Sequence, residues 1–276
     1  MKSPVPKAAR RALLSCAALM LALPVSAQAP TPAAAHVSAV LRVGVEAAYP
    51  PFSELAPDGQ LRGFDIDIAN ALCARLQARC EFIKTEFDAM IPALRAKKFD
   101  AIVASMSITP ERQKAVDFTA KYYHSGARFV ARADATFEAT PAGLKGKNIG
   151  VQRGTIHDRY ATAKFSGATI TRYSKQDEVF LDLLSGRIDA SLADVVAIDI
   201  GFLKTAQGKG YSMRGPNYDD AAFFGTGAGI AVRKGDTALR DKLDAAIIAM
   251  RADGSYKKIN DRYFEFDIYG AEPKKK

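Results

Sequence analysis

Two stretches of this chain, Leu94-Arg-Ala-Lys-Lys-Phe-Asp-Ala-Ile-Val-Ala-Ser105 and Leu183-Leu-Ser-Gly-Arg-Ile-Asp-Ala-Ser-Leu-Ala-Asp194, align without a gap and share an Asp-Ala pair in register. Each leaves a helix-like segment, enters an apolar run with strand character, and stops on a polar residue at the same distance from its Asp. A chain that repeats such a unit is expected to build two similar α/β lobes, each with its own layered core. In open α/β sheets ligands bind beyond the carboxyl ends of strands. Ser105 and Asp194, which end the matching strands, are therefore predicted to face a polar cleft between lobes, a favoured kind of ligand site.

The pattern on either side of the repeat supports this architecture. Residues 41–46 read as a strand, and 63–76 as a helix with Phe64, Ile68, Leu72 and Leu76 on one face. A strand over 80–87, a helix capped by Asp88 with Met90, Ile91 and Leu94 inward, and a strand over 99–105 complete a crossover unit. After Ala139-Thr140-Pro141 a second series begins: strand 148–152, a helix after Gly154, strand 168–173, helix 176–184 and strand 188–194. The remaining strand patterns at 211–214 and 230–233 and the long helix 237–251, ended by Gly254, are expected to return to the first lobe. The stretch Gly225-Thr-Gly-Ala-Gly229 precedes a strand, without the strand-to-helix context of a phosphate cradle, and reads as a hinge or a close backbone crossing.

The N-terminal segment has a different character. Lys2, Lys7, Arg10 and Arg11 precede an apolar run over 12–23 and the small residues Val25-Ser26-Ala27, the order of a secretory signal peptide. Cleavage after Ala27 is preferred, because cleavage after Ala29 would leave Pro30 at the new N-terminus. The signal is assigned to residues 1–27, a flexible Ala- and Pro-rich stretch to 28–38, and a basic tail to 272–276. A lipoprotein reading through Cys16 lacks an apolar stretch between the basic residues and the Cys. Much of the formal net charge of +9 resides in the signal and in Lys274, Lys275 and Lys276. Elsewhere Lys and Arg alternate with Asp and Glu, which argues against a nucleic-acid binder. In an exported chain Cys73 and Cys80 are expected to form a short-loop disulfide joining a helix end to the next strand. Paired metal ligation would need more donors than this neighbourhood offers, so no metal site is expected.

The segments Tyr49-Pro-Pro-Phe52, Gly63-Phe-Asp-Ile-Asp67, Phe87-Asp-Ala-Met-Ile-Pro92, Ser105-Met-Ser-Ile-Thr-Pro-Glu-Arg112, Leu144-Lys-Gly-Lys147 and Tyr263-Phe-Glu-Phe-Asp-Ile-Tyr-Gly270 occur in this order. Together they resemble the polar amino-acid family of periplasmic substrate-binding proteins, most closely its lysine, arginine, ornithine and histidine binders. The resemblance implies an α/β, two-lobed, periplasmic binding protein-like type II fold with a ligand cleft between lobes. Residues 39–124 and 225–271 would form the first lobe, and 125–224, with the hinge crossings, the second.

Arg112 lies early in a helix begun by Thr109 and Pro110, where a planar guanidinium can grip a carboxylate with two hydrogen bonds. The ordinary alternative is an ion pair with Glu111 or Asp117. The resemblance implies that Ser107 and Thr155 join Arg112 in holding a ligand carboxylate. It further implies that Ser105 and Asp194 hold the α-ammonium, and that Tyr49 and Phe87 sandwich the aliphatic stem and favour a cation over their faces. Glu46 stands where relatives usually carry Asp and would face a cationic head group. Asp65 matches an acidic family position, although near a helix start it also simply favours the dipole. Ala104 replaces a hydroxyl of close relatives, Gln152 replaces an apolar residue, and Ile156 with His157 follow Thr155 where polar side chains are frequent. Gln152 adds hydrogen-bonding capacity suited to the several donors of a guanidinium.

The expected function is that of an exported monomer that closes around a cationic L-amino acid and delivers it to the membrane permease subunits of an ABC importer. Arginine ranks first, with lysine, ornithine and histidine behind it. No cofactor, nucleic acid or catalysis is expected. The alternatives are a periplasmic cyclohexadienyl or arogenate dehydratase-like enzyme on the same fold, a binder of glutamine or an opine, and a module that serves a sensor. His36, His124 and His157 read as isolated surface or loop residues, and no Ser-His-Asp order, metal-spaced His pair or nucleophilic Cys is seen.

Overall fold

The computed structural model describes residues 39–270. The signal peptide expected over 1–27, the stretch 28–38 and the tail 272–276 lie outside the described residues. From its start the chain lays down β1 (Ala39–Val45), a small antiparallel sheet of β2 (Ala48–Tyr49), β3 (Ser53–Leu55) and β4 (Leu61–Arg62), and helix α1 (Phe64–Arg75). It continues through β5 (Ala78–Lys84), α2 (Met90–Arg95), β6 (Ala101–Ile102), the single turn α3 (Pro110–Gln113) and β7 (Val116–Tyr123). It then crosses to a second body made of β8 (Ala127–Arg132), β9 (Asn148–Gln152), α4 (Ile156–Lys164), β10 (Thr169–Tyr173), α5 (Gln176–Leu184), β11 (Ala190–Asp194), α6 (Val195–Ile198), β12 (Tyr211–Tyr218) and α7 (Ala221–Phe224). Finally it returns as β13 (Ala228–Arg233), α8 (Thr237–Ala252) and α9 (Ser255–Asn260).

The two large sheets have one connection pattern, with strand orders β5-β1-β6-β13-β7 and β10-β9-β11-β8-β12. In each, three parallel strands are followed by an antiparallel strand that has just crossed from the other body: β13 in the first and β8 in the second. Strand periodicity divides the core between the two faces of each sheet. Ala101 and Val103 pack with α1, whereas Ile102 and Ala104 pack with Met90, Leu94 and Phe99. In the second sheet Ala190 and Leu192 join Phe129 and Ile149, while Ala193 joins Val179, Leu183 and Ile188.

The repeat seen in the sequence is a repeat of register. Val43 pairs with Ala101 and Ile149 with Ala190, so β1 and β6 correspond residue for residue to β9 and β11. The shared Asp has the same structural task in both lobes. Asp100 accepts the backbone N–H of Arg42, the fourth residue of β1, at 3.2 Å, and Asp189 that of Asn148, the first residue of β9, at 2.8 Å, each satisfying a donor of the neighbouring parallel strand. A Cβ on Gly44 would lie 2.6 Å from the Phe99 ring, and one on the matching Gly150 would lie 2.3 Å from Ile188. The residue before each Asp thus packs over a glycine of the neighbouring strand.

Several local expectations shift. Residues 211–214, expected to return to the first lobe, stay in the second as part of β12, paired antiparallel with β8. The strand expected over 80–87 is β5 and ends at Lys84, because the chain there turns into a 3-10 segment, Phe87–Ala89. Asp88 does not cap α2, whose N-cap is Ala89 with no side-chain bond; its carboxylate instead lies 3.5 Å from Arg153 of the second lobe. The ladder expected over 99–105 is confined to β6, and Ser105 lies beyond it in a left-handed conformation, φ 53°. Cys73 of α1 and Cys80 of β5 form the disulfide, with Cα atoms 5.7 Å apart. Gly225 and Gly227 do make close backbone crossings: a Cβ would lie 2.0 Å from the Ile108 carbonyl oxygen and 2.7 Å from that of Tyr123, respectively.

Candidate functional site

In each sheet the first strand has its sequence successors on opposite sides, which makes its carboxyl end the switch point where open α/β sheets bind ligands. The two switch points face each other. Glu46 follows β1 and Gln152 ends β9, and these symmetry-related residues meet directly: Gln152 Nε2 donates to Glu46 Oε1 at 2.6 Å. Its other donation goes to the Ser174 carbonyl at 3.2 Å. The second equivalent pair, Ser105 and Asp194, lies after β6 and at the end of β11. Further bonds close the lobes on one another. Arg112 Nη2 donates to the Gly154 carbonyl at 3.1 Å, and Arg159 pairs with Glu111 at 2.7 Å. Gly154 has φ 74°, and a Cβ there would lie 2.9 Å from that of Asp88, so the approach of the lobes requires glycine.

Between these contacts lies a cavity in the cleft between the lobes, the kind of place where small organic ligands bind. Glu46, Tyr49, Phe87, Ala104, Ser105, Ser107, Arg112, Gln152, Thr155 and Asp194 line it. Asp65 does not: it is buried behind the wall, where its carboxylate accepts from Ser105 Oγ at 2.9 Å and Tyr122 Oη at 2.8 Å. The dipole reading of Asp65 is therefore incomplete, since a side-chain network holds the carboxylate. The walls also include Tyr123, Ser125, Ile156, His157, Phe224, Gly227 and Ala228. Most of these belong to the crossings between bodies, and only the Gly-rich stretch before β13 hints at them in sequence.

The charges in this cavity are arranged unusually. Glu111 pairs with Arg159 and Asp117 with Lys234, so neither carboxylate expected as the ordinary partner of Arg112 is available to it. Arg112 is half-buried, forms no ion pair among the described residues, and rests over Phe87 with its guanidinium carbon 5.2 Å from the ring centre. Its Nη1 donates to the Ser107 carbonyl at 3.0 Å. Thr109 caps its short helix by accepting from the Arg112 N–H at 3.2 Å. Burial, with the neighbouring Arg159, pulls the Arg112 pKa down to about 10.

Opposite stand carboxylates without cations. Asp194 accepts the N–H groups of Val196 and Ala197 at 2.8 and 3.2 Å, both through Oδ1, while burial raises its pKa to about 6. Burial raises Glu46 to about 8 against the Gln152 hydrogen bond, which lowers it. Neither forms an ion pair among the described residues. Phe87 packs in a core cluster and also lines the cavity. Thr155 spends its hydroxyl proton on the Gln152 carbonyl at 2.7 Å and caps α4 by accepting from Asp158 N–H at 3.1 Å.

One histidine differs from the surface-or-loop expectation, and one agrees with it but is not isolated. His157 is neither exposed nor in a loop: it is buried in the first turn of α4, and burial together with Arg112 lowers its pKa to about 3, so it is neutral. His124 lies at the first crossing with Nε2 2.9 Å from Asp219 Oδ2, a residue of the second crossing. His36 lies outside the described residues.

This pattern has counterparts among known proteins. A family model described as bacterial extracellular solute-binding proteins, family 3, matches residues 41–266. The L-arginine-binding protein of Pseudomonas aeruginosa is 54% identical over 84% of this chain and 90% of its own length. The histidine-binding periplasmic protein of Salmonella typhimurium is 42% identical over 92% of this chain and 98% of its own length. Among solved structures, a Salmonella typhimurium periplasmic binding protein described for its high arginine specificity superposes with a TM-score of 0.77. It is 37% identical, and the match covers 82% of this chain and 99% of that one. The chain therefore belongs to family 3 of the bacterial extracellular solute-binding proteins.

Proposed function

We propose that this protein captures an L-amino acid with a cationic side chain by closing its two lobes, and hands it in the periplasm to the permease subunits of an ABC importer. Arginine is the first ligand, with lysine, ornithine and histidine behind it. The observation that carries the reading is the presence of unpaired ionisable groups of both kinds in one cavity: the Arg112 guanidinium without a carboxylate, and Asp194 and Glu46 without a cation. An unpaired charge taken out of water is costly unless a partner arrives. A zwitterion with a cationic side chain supplies all three counter-charges. Its carboxylate meets Arg112, its α-ammonium meets Asp194 and Ser105, and its head meets Glu46 beside Gln152, with Tyr49 and Phe87 along the stem. Because these groups come from both lobes, the ligand favours the closed form through contacts that the open form lacks.

In this reading the cleft binds and does not catalyse. Its carboxylates and guanidinium form a clamp, and the neutral His157 sits beside the anion end. The test is calorimetric titration with arginine, lysine, ornithine, histidine and glutamine, together with an assay of prephenate and arogenate turnover. Tightest binding of glutamine would sink the cationic preference, and turnover of either acid would replace binding by catalysis.

A further inference from the structure

Asp65 has so far been a buried carboxylate behind the cavity wall, and the wall has an unusual feature in front of it. Ser105 adopts a left-handed backbone conformation, φ 53°, which a residue with a Cβ adopts only at a cost of about 1 kcal/mol or more. That conformation is tied down at both ends of a closed network. The Ser105 backbone N–H donates to Tyr122 Oη at 2.9 Å, Tyr122 Oη donates to Asp65 Oδ1 at 2.8 Å, and Ser105 Oγ donates to Asp65 Oδ2 at 2.9 Å. With Asp65 ionised, the donor inventory leaves one solution. The Tyr122 oxygen already accepts the Ser105 N–H, and its single proton goes to Asp65; a serine hydroxyl also has one proton, and that proton goes to Asp65. Ser105 Oγ is therefore left with lone pairs only, in a residue that lines the cavity.

We propose that Asp65 is a positioning residue for the α-ammonium of the ligand: by taking the hydroxyl proton of Ser105 it makes that oxygen a fixed acceptor beside Asp194. The inference rests on the zwitterion reading of the cleft and adds the device that makes Ser105 discriminate between an ammonium and any group that needs a donor. Two further observations fit it. Asp65 is 1% exposed and forms no ion pair among the described residues, an expensive arrangement for a group with only a packing role. Burial chiefly, and to a lesser degree the charge of Asp194 of the other lobe, disfavours ionisation of Asp65, so a ligand ammonium near Ser105 would relieve both carboxylates. Protonation of Asp65 would reverse the chain, because the acid would donate and free the Ser105 proton to point into the cavity.

The experiment compares L-arginine with 5-guanidinopentanoate, which is arginine without its α-amino group, by calorimetry on the full protein and on Asp65→Asn, Ser105→Ala and the double variant. Each single substitution is expected to weaken arginine by about tenfold or more and to leave 5-guanidinopentanoate within about twofold. The double variant is expected to be no more than about threefold weaker than the weaker single variant, because the two residues act as one unit. The arginine affinity of the unsubstituted protein falls on acidification through neutral pH more steeply than that of Ser105→Ala. Equal loss of both ligands in Asp65→Asn, additive losses, or unchanged arginine binding would overturn the positioning role. Should Asp65→Asn fail to fold, Ser105→Ala decides alone: near-wild-type arginine binding by it refutes the inference. Failure of the unsubstituted protein to bind any amino acid would instead refute the zwitterion reading.

Discussion

At the residue scale, the cavity is defined by charges held in place for partners the chain does not supply. Arg112 is the clearest case, since its neighbouring carboxylates, Glu111 and Asp117, are engaged by Arg159 and Lys234. Replacing Arg112 with Ala removes the carboxylate grip common to every amino acid, so arginine, lysine and glutamine should all lose at least about a hundredfold in affinity, roughly 3 kcal/mol. Titration with all three checks this; a loss confined to one would show that Arg112 serves a side chain. Glu46 supports a second prediction. Its pKa in the closed cleft is raised by burial to about 8 from 4.5, so the closed form without a cation is favoured at low pH and loses that contribution as pH rises from the lower value through the higher. A cationic head offsets the loss by stabilising the carboxylate. Arginine entering the already closed cleft at pH 7 should then release up to about one proton, read as a buffer-dependent heat in calorimetry, and Glu46→Gln should abolish the release.

At the element scale, the duplicated strand unit shows how one short pattern builds two sheets. Asp100 and Asp189 anchor β1 and β9 by accepting a backbone N–H from each, that of Arg42 and that of Asn148. Asp189→Ala leaves that half-buried donor on Asn148 without its partner and is expected to cost about 1–3 kcal/mol. Asp100→Ala should cost at least as much, because Asp100 also receives Arg42 Nε at 3.0 Å and Arg233 Nη2 at 3.3 Å. Chemical denaturation measures both. The disulfide between α1 and β5 closes a short loop, with a sequence separation of 7. Replacing both cysteines with Ala should lower stability by about 2–3 kcal/mol while leaving arginine affinity unchanged, because neither residue lines the cavity.

At the scale of the whole molecule, closure is held at the lip by Arg159–Glu111 and Arg153–Asp88, outside the cavity. Both pairs are substantially solvated, with Glu111 63% and Arg153 49% exposed, so each contributes at most about 1 kcal/mol to the closed form. Glu111→Gln should speed arginine release by no more than about fivefold in stopped flow, and about 1 M salt should erase the difference. The contacts inside the cleft, with the ligand among them, therefore dominate the open-to-closed balance, and the lip pairs tune it.

The local sequence determined what depends on near neighbours and on repetition. The aligned Asp-Ala pair foretold two sheets of one pattern with Ser105 and Asp194 beyond matching strands, and the Thr109-Pro110 start foretold the cap before Arg112. The resemblance to a known family supplied the roles expected of Glu46, Tyr49 and Phe87, which composition and spacing alone did not contain. Only the tertiary structure decided the rest. Asp88 reads as a helix cap but is drawn to Arg153, because lobe closure brings an opposite charge within reach. Gln152 reads as an isolated departure, yet across the cleft it meets its own symmetry counterpart, Glu46. Asp65 reads as a favourable charge near a helix start, whereas its bonds to Ser105 and Tyr122 join α1 to residues far along the chain. Periodicity reports which face of an element is apolar; which polar groups converge is set by how two lobes close, and that depends on contacts between residues distant in sequence.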